Sequence, residues 1–194
     1  MTIGILGLQG AVREHIHCLS RLGTQWRVVK RAGQLDGLAG MILPGGESTT
    51  ISLLANGALF EELCRLANTG FPFFGTCAGM ILLATKIEGQ ENAYIGAVDI
   101  TIARNASGRQ VNSFETALQI KEIGDEVPVV FIRAPYVTRV GQGVLTLAEH
   151  DDRVVMARQA NVLVTSFHPE LTDDLRIHRY FTNMVQQRER EVVS

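Results

Sequence analysis

A marked excess of charge of either sign is missing from this chain. Its 194 residues carry 18 Lys+Arg against 20 Asp+Glu, a formal net charge of -2. That leaves no broad cationic surface, so no nucleic-acid partner is expected. Long apolar runs are missing as well. None reaches the ~18 residues that a bilayer-crossing helix requires, and no membrane role is expected. Cysteine is scarce: Cys18, Cys64 and Cys77 make an odd count with no CxxC spacing, which fits neither a disulfide framework nor a zinc site. A reduced, cytoplasmic setting is the expectation, with neither metal nor cofactor. The N-terminal stretch Met1-Thr2-Ile3-Gly4-Ile5-Leu6 has no basic segment ahead of a long apolar one, so no signal peptide is expected. There is no internal repeat, linker or low-complexity stretch. At ~150 residues per domain, one domain spanning residues 1–194 is expected.

What is present is an ordinary globular composition, 46% hydrophobic and 20% charged, with 19 glycines that cluster. Short apolar runs at Thr2–Leu8, Trp26–Lys30, Gly40–Leu43 and Phe71–Gly75 read as strands. Between and after them, helical spacing predicts helices at Ala11–Leu22 (closed by Gly23), Ser48–Leu54, Leu59–Ala67 and Ala78–Thr85. This alternation implies an α/β fold built on an open, mostly parallel sheet flanked by helices, flavodoxin-like. The second half is β-rich, with strands predicted at Ile95–Ile102, Glu115–Ile120 and Val129–Ile132. A hairpin is predicted from Val154–Ala157 to Val162–Ser166, and a closing helix over Leu175–Gln187 ahead of a solvated, frayed Arg188–Glu191 tail. In such sheets ligands bind beyond the carboxyl ends of the strands. The pairs Gly7/Gly10, Gly45/Gly46 and Gly75/Gly79 all fall at those ends.

The sharpest motif is Gly75-Thr76-Cys77-Ala78-Gly79, between a buried strand and a helix. It has the pattern of a nucleophile elbow with Cys in place of Ser. A nucleophile on so tight a turn needs neighbours without side chains. The helix N-terminus favours a thiolate, and the Ala78 N–H points where an oxyanion would form. A plain tight turn with a buried Cys is the blander alternative. A thiol nucleophile needs a base and an orienter. Of the five histidines, His15 and His17 lie on a predicted helix and are expected at the surface. His150 falls in a predicted acidic turn and His178 on the last helix. His168 directly follows an apolar strand in His168-Pro169-Glu170, where Glu170 can hold its ring. A third motif, Pro44-Gly45-Gly46-Glu47-Ser48-Thr49, lacks the Lys of a phosphate loop. It suits an oxyanion loop or a carboxylate-binding nest.

Together the elbow and His168-Pro169-Glu170 resemble a class I, triad-type glutamine amidotransferase domain. Further stretches narrow the resemblance to the glutaminase subunits of pyridoxal 5′-phosphate synthases: Gly7–Ala11, Pro44–Thr49, Arg104–Gln110, Phe131–Pro135 and Phe167–Thr172. They span nearly the whole chain in order. One departure is Ser107, where the family usually has an aromatic residue, which bears on local packing. The resemblance implies hydrolysis of L-glutamine to glutamate and ammonia through a thioester on Cys77, with His168 as acid and base and Glu170 as its orienter. It implies oxyanion donors at Ala78 and at Gly45 or Gly46, and glutamine contacts at Gly45, Gly46, Glu47, Arg104, Ile132 and Arg133. It also implies a separate synthase subunit as partner, since this chain lacks the ~250 residues of a (β/α)₈ barrel. Gln9 and Gly10 are assigned a part in arranging the oxyanion loop when that partner docks. Three alternatives compete. The glutaminase of an imidazole glycerol phosphate synthase is disfavoured by the Arg104–Gln110 and Phe131–Pro135 stretches. A PfpI-like hydrolase or chaperone would place a His soon after the Cys, and here Ala78-Gly79-Met80 follows. A catalytically silent regulatory subunit fits poorly with an intact Cys77, His168 and Glu170.

Overall fold

The structure, a computed structural model, describes residues 1–47, 57–104 and 113–193. The first half alternates strands and helices: β1 (Thr2–Leu6), α1 (Val12–Arg21), β2 (Gln25–Val29), β3 (Gly40–Leu43), α2 (Ala58–Ala67), β4 (Phe73–Thr76) and α3 (Ala78–Leu83). The second half is strand-rich: β5 (Ala84–Ile87), β6 (Val98–Ala103), β7 (Phe114–Ile120), β8 (Gly124–Phe131), β9 (Tyr136–Val140), β10 (Leu145–His150), β11 (Arg153–Gln159) and β12 (Val162–Thr165). Helix α4 (Arg176–Val193) closes the described chain.

One main sheet runs in the order β2-β1-β3-β4-β12-β11-β9-β6-β5, with β10 paired to β11 and a separate β7–β8 hairpin. The five strands β2, β1, β3, β4 and β12 are mutually parallel. The apolar runs of β1, β3, β4 and β12 are what a strand covered on both faces requires, while β2, at the sheet edge, is largely exposed. Side chains of successive residues alternate between faces, and the core divides accordingly. Leu6, Met41, Leu43 and Phe73 pack with Leu59 and Leu63 of α2 and Met80 of α3. Their sequence neighbours Ile5, Ile42 and Phe74 pack with Leu19 of α1, Phe181 and Val185 of α4, and Val127 and Val129 of the hairpin. A fully buried side chain of this size contributes roughly 1.5–3 kcal/mol, so both helical layers are firmly seated.

Register places the chemistry. Leu43 pairs with Gly75 and Thr165 with Thr76. The segments that leave β3, β4 and β12 therefore start side by side at one edge: the Gly45-Gly46 loop, the Cys77 elbow and the His168 segment. The β7–β8 hairpin adds a clamp, because the His168 N–H donates to the Val130 carbonyl at 2.8 Å.

Several elements differ from expectation. The helix predicted to Thr85 ends at Leu83, and Ala84–Ile87 extends as β5, where Thr85 and Ile87 are β-branched. Residues 188–191 continue α4 instead of fraying. Arg, Glu and Gln are good helix formers, and Gln187 reaches Glu191 one turn on at 3.5 Å. Strands β9 and β10 were not foreseen. His150 ends β10, its ring against Phe114 and Phe131. The hairpin about Arg158–Asn161 forms as expected, turning at Ala160 with φ 48°. The predicted helix Ser48–Leu54 lies outside the described residues.

Candidate active site

Cys77 follows β4 directly and is the N-cap of α3, with φ 49° and ψ -102°. A non-glycine residue in that region is strained, and such strain persists only where the surroundings impose it. Here two contacts impose it. The Cys77 N–H donates to the Thr165 carbonyl at 2.8 Å. The elbow glycines let backbone touch backbone: a Cβ at Gly75 would meet the Gly79 carbonyl carbon at 2.5 Å, and one at Gly79 would overlap the Leu43 carbonyl oxygen. The glycines of the motif are therefore packing requirements of the turn.

His168 Nδ1 lies 2.8 Å from Glu170 Oε1. Both residues are buried. Burial opposes a charge on His168, but its hydrogen bonds to Cys77 and Glu170 and the nearby Glu170 charge outweigh that and push it up to about 10. Burial would likewise raise Glu170, but the His15 and His168 rings and its hydrogen bonds hold its carboxyl below the usual range. The Cys77 sulfur also faces the Ile132 carbonyl at 3.9 Å. Among the three thiols, Cys77 is the one on the cleft. Cys18 is buried in α1, and burial, with Glu170 nearby, pushes it up to about 11. Burial raises Cys64 as well.

Cys77 and His168 open onto a cleft of about 440 Å³, lined also by Gly45, Gly46, Glu47, Arg104, Ile132 and Arg133. All six residues assigned to the glutamine site thus share one cavity. Arg104 donates to the Tyr94 hydroxyl at 2.7 Å, while its buried Nε has no partner among the described residues. An unpartnered guanidinium N–H in a cleft suits an anionic ligand group. Arg133 has φ 44°, a second strained non-glycine beside the cavity. The Gly45 N–H is already committed, donating to Thr76 Oγ1 at 2.9 Å. Among the described residues, the N–H groups of Gly46 and Ala78 have no internal acceptor. Gly10, at φ 94°, lies so close to the Gly45 carbonyl that any Cβ would overlap it, and the Ala11 N–H donates to that same oxygen at 3.2 Å. Gln9 is exposed and does not line the cleft. Of the Arg104–Gln110 stretch only Arg104 is described; Ser107, Ser48 and Thr49 fall outside.

The SNO glutamine amidotransferase family matches residues 5–187. The chain belongs to that family. It is 56% identical to the pyridoxal 5′-phosphate synthase subunit PdxT of Carboxydothermus hydrogenoformans, over 95% of this chain and 98% of that one. It is 52% identical to the subunit of the same name from Geobacillus kaustophilus, over 96% of both. A solved glutamine amidotransferase structure superposes with a TM-score of 0.90 at 45% identity, covering 95% of this chain and 98% of the other. The structure of PurLQS from Thermotoga maritima superposes at 0.72 with 16% identity over 94% of this chain and 97% of that one, a likeness of fold. The fold is that of a class I glutamine amidotransferase, and the chain is a glutaminase-type amidotransferase subunit.

Sequence reasoning missed three residues next to the His168–Glu170 pair. His15, expected at the surface, is fully buried. Its Nε2 lies 3.3 Å from Thr76 Oγ1 and 3.5 Å from Glu170 Oε1, and its Nδ1 lies 2.9 Å from His178 Nε2. Thr76 Oγ1 is 3.3 Å from Glu170 Oε1. A signal did exist: His15 sits on the α1 face marked by Val12, Ile16 and Leu19, and His178 on the α4 face of Ile177, Phe181 and Val185. His17 is exposed as expected.

Proposed function

We propose that the chain, acting as one unit over residues 1–194, hydrolyses L-glutamine with Cys77, His168 and Glu170 as its triad. The ammonia passes to a separate synthase subunit that makes pyridoxal 5′-phosphate. The observation that carries this is the buried His168–Glu170 pair beside a strained Cys77, on a cleft where Arg104 Nε has no partner among the described residues. His168 takes the Cys77 thiol proton, Cys77 Sγ attacks the side-chain amide carbon, and the carbonyl electron pair moves to oxygen. The N–H groups of Ala78 and Gly46 stabilise that oxyanion, because Gly45 spends its own on Thr76. His168, held protonated, gives its proton to the departing nitrogen, so ammonia leaves and a γ-glutamyl thioester remains. His168 then takes a proton from water as the water oxygen attacks the thioester, and returns that proton to the departing Cys77 sulfur, releasing glutamate and the thiol. Arg104 and Arg133 face the α-carboxylate, and Glu47 with the Ile132 carbonyl faces the α-ammonium.

The family name supports the reaction, and the relatives named pyridoxal 5′-phosphate synthase subunit support the partner and a hetero-oligomer. Three free cysteines fit a reducing cytoplasm. Among the described residues no helix is long and apolar enough to cross a membrane. Gly10 packs against the Gly45 carbonyl, and with its exposed neighbour Gln9 it serves partner-dependent arrangement of the oxyanion site.

One assay tests both readings: ammonia release from glutamine with and without the synthase subunit. Cys77→Ser is expected to lose about 10³-fold or more in kcat. Ammonia release by the serine variant at the wild-type rate would remove Cys77 as nucleophile. Gln9→Ala is expected to lower activity in the complex, and an unchanged complexed rate would remove Gln9 from the account.

A further inference from the structure

Behind the triad lies a buried polar chain that the proposed reaction does not use. His178 Nε2 is 2.9 Å from His15 Nδ1, and His15 Nε2 points between Thr76 Oγ1 at 3.3 Å and Glu170 Oε1 at 3.5 Å. Both imidazoles are fully buried, and both resist protonation, chiefly because of that burial; His178 is pushed down to about 3. Each neutral ring carries a single N–H, so the chain has two possible directions.

Hydrogen-bond accounting selects one. If His178 Nε2–H donates to His15 Nδ1, then His15 Nε2–H faces the Glu170 carboxylate and the Thr76 oxygen. Thr76 then accepts from the Gly45 N–H at 2.9 Å and from His15, and gives its one proton to Glu170 Oε1 at 3.3 Å. Its proton and both lone pairs are used. In this direction His178 Nδ1, which has no partner among the described residues, is only a bare lone pair. In the opposite direction that atom would be a buried N–H with no acceptor, and His15 would aim a lone pair at a carboxylate. Both features are unfavourable.

We infer that His15 and His178 are positioning residues: a relay of two neutral imidazoles that donates to Glu170 and, through Thr76, ties the triad carboxylate to the Gly45 loop. The inference rests on the reading of Glu170 as the partner of His168 in catalysis. Neither imidazole lines the cleft. Their effect is to fix the Glu170 oxygen that holds His168, at 2.8 Å, and so the direction in which His168 exchanges its proton with Cys77.

The relay is tested by long-range ¹H–¹⁵N correlation spectra of the histidine-labelled chain, and by glutaminase kinetics with the synthase subunit present. The wild-type spectra should show both rings neutral at pH 7 and protonated on Nε2, with assignments from His15→Gln and His178→Gln. A charged ring, or a proton on His15 Nδ1, overturns the relay, and this readout needs no variant to retain activity. In the kinetics, His178→Leu should lower kcat about ten-fold with KM unchanged, the scale on which partners of an oriented group count. His178→Gln, which keeps an N–H near the Nε2 position, should restore most of that loss. A His178→Leu enzyme with wild-type kcat, or one impaired only in KM, overturns the relay. Cys77→Ser in the same assay separates the outcomes. If it stays active, the triad reading itself fails; if it is dead while His178→Leu is unimpaired, the relay alone fails.

Discussion

Gly45 lies flat against the His168 ring. A Cβ added there would overlap Cε1 and come within 2.8 Å of Nδ1 and 3.2 Å of Nε2. The ring cannot yield without stretching its bond to Glu170. With His168 in the proposed role, Gly45→Ala is therefore expected to lower kcat about a hundred-fold, the cost of displacing a reacting group by about an ångström, while folding stability falls by about 1–3 kcal/mol as for other overpacked sites. Steady-state kinetics of the complex and urea melts of the variant check the two parts, and a wild-type kcat would mean the ring does not sit where described. Residues of this kind were legible in the sequence because their chemistry is local. An elbow needs glycines two positions either side of its nucleophile, and Glu170 follows His168 by two residues on a stiff Pro169 turn. His15, Thr76 and His178 were not legible as a group. They interact across separations of 61 and 163 residues, and a histidine on an amphipathic helix shows its partner only once the helix is docked.

Among the elements, those that carry the site were also the most readable. Strands β1, β3 and β4 are buried on both faces, and their unbroken apolar runs are bounded by glycine and proline. β3 falls on the predicted residues, and the hairpin of β11 and β12 forms about its predicted turn. The elements at the far edge of the sheet were harder. β9 and β10 are partly exposed, with burial patterns that alternate imperfectly, so their apolar period is weak. β10 also carries register shifts against β11 near Ala148, which break the two-residue repeat that marks a strand. β5 follows α3 with no break in apolar character, and periodicity alone does not separate a short buried helix from a strand. The α4 tail failed for the opposite reason. Alternating Arg and Glu look solvated, yet a solvated face is compatible with a helix already nucleated by Ile177, Phe181 and Val185. What no single element showed is that the β7–β8 hairpin, off the main sheet, pins His168 through Val130 and delivers the Ile132 carbonyl to Cys77.

For the whole molecule, the buried histidines couple folding to pH from both sides. His178 and His15 are neutral in the fold, with His178 at about 3 against an ordinary 6.5. Between those values the unfolded chain binds more protons, so stability rises with pH up to about 6.5 and is lost as pH falls toward 3. Glu170, held below its ordinary 4.5, adds to the loss below that pH. His168 acts in the other direction. It is raised to about 10, so from 6.5 upward the folded chain binds the extra proton, and its contribution disappears as pH rises through 10. Each such proton changes the slope by about 1.4 kcal/mol per pH unit, which gives a stability maximum near pH 6.5. The two limbs have separate owners. His178→Gln should make the acid limb shallower, with His15 and Glu170 carrying the remainder, and leave the alkaline one, and His168→Asn should remove the alkaline limb. Urea melts at pH 5, 6.5 and 9 on the three proteins measure this directly. A wild-type profile that is flat from 6.5 to 9, or an alkaline limb that survives His168→Asn, would place the extra proton elsewhere than on the imidazole beside Cys77.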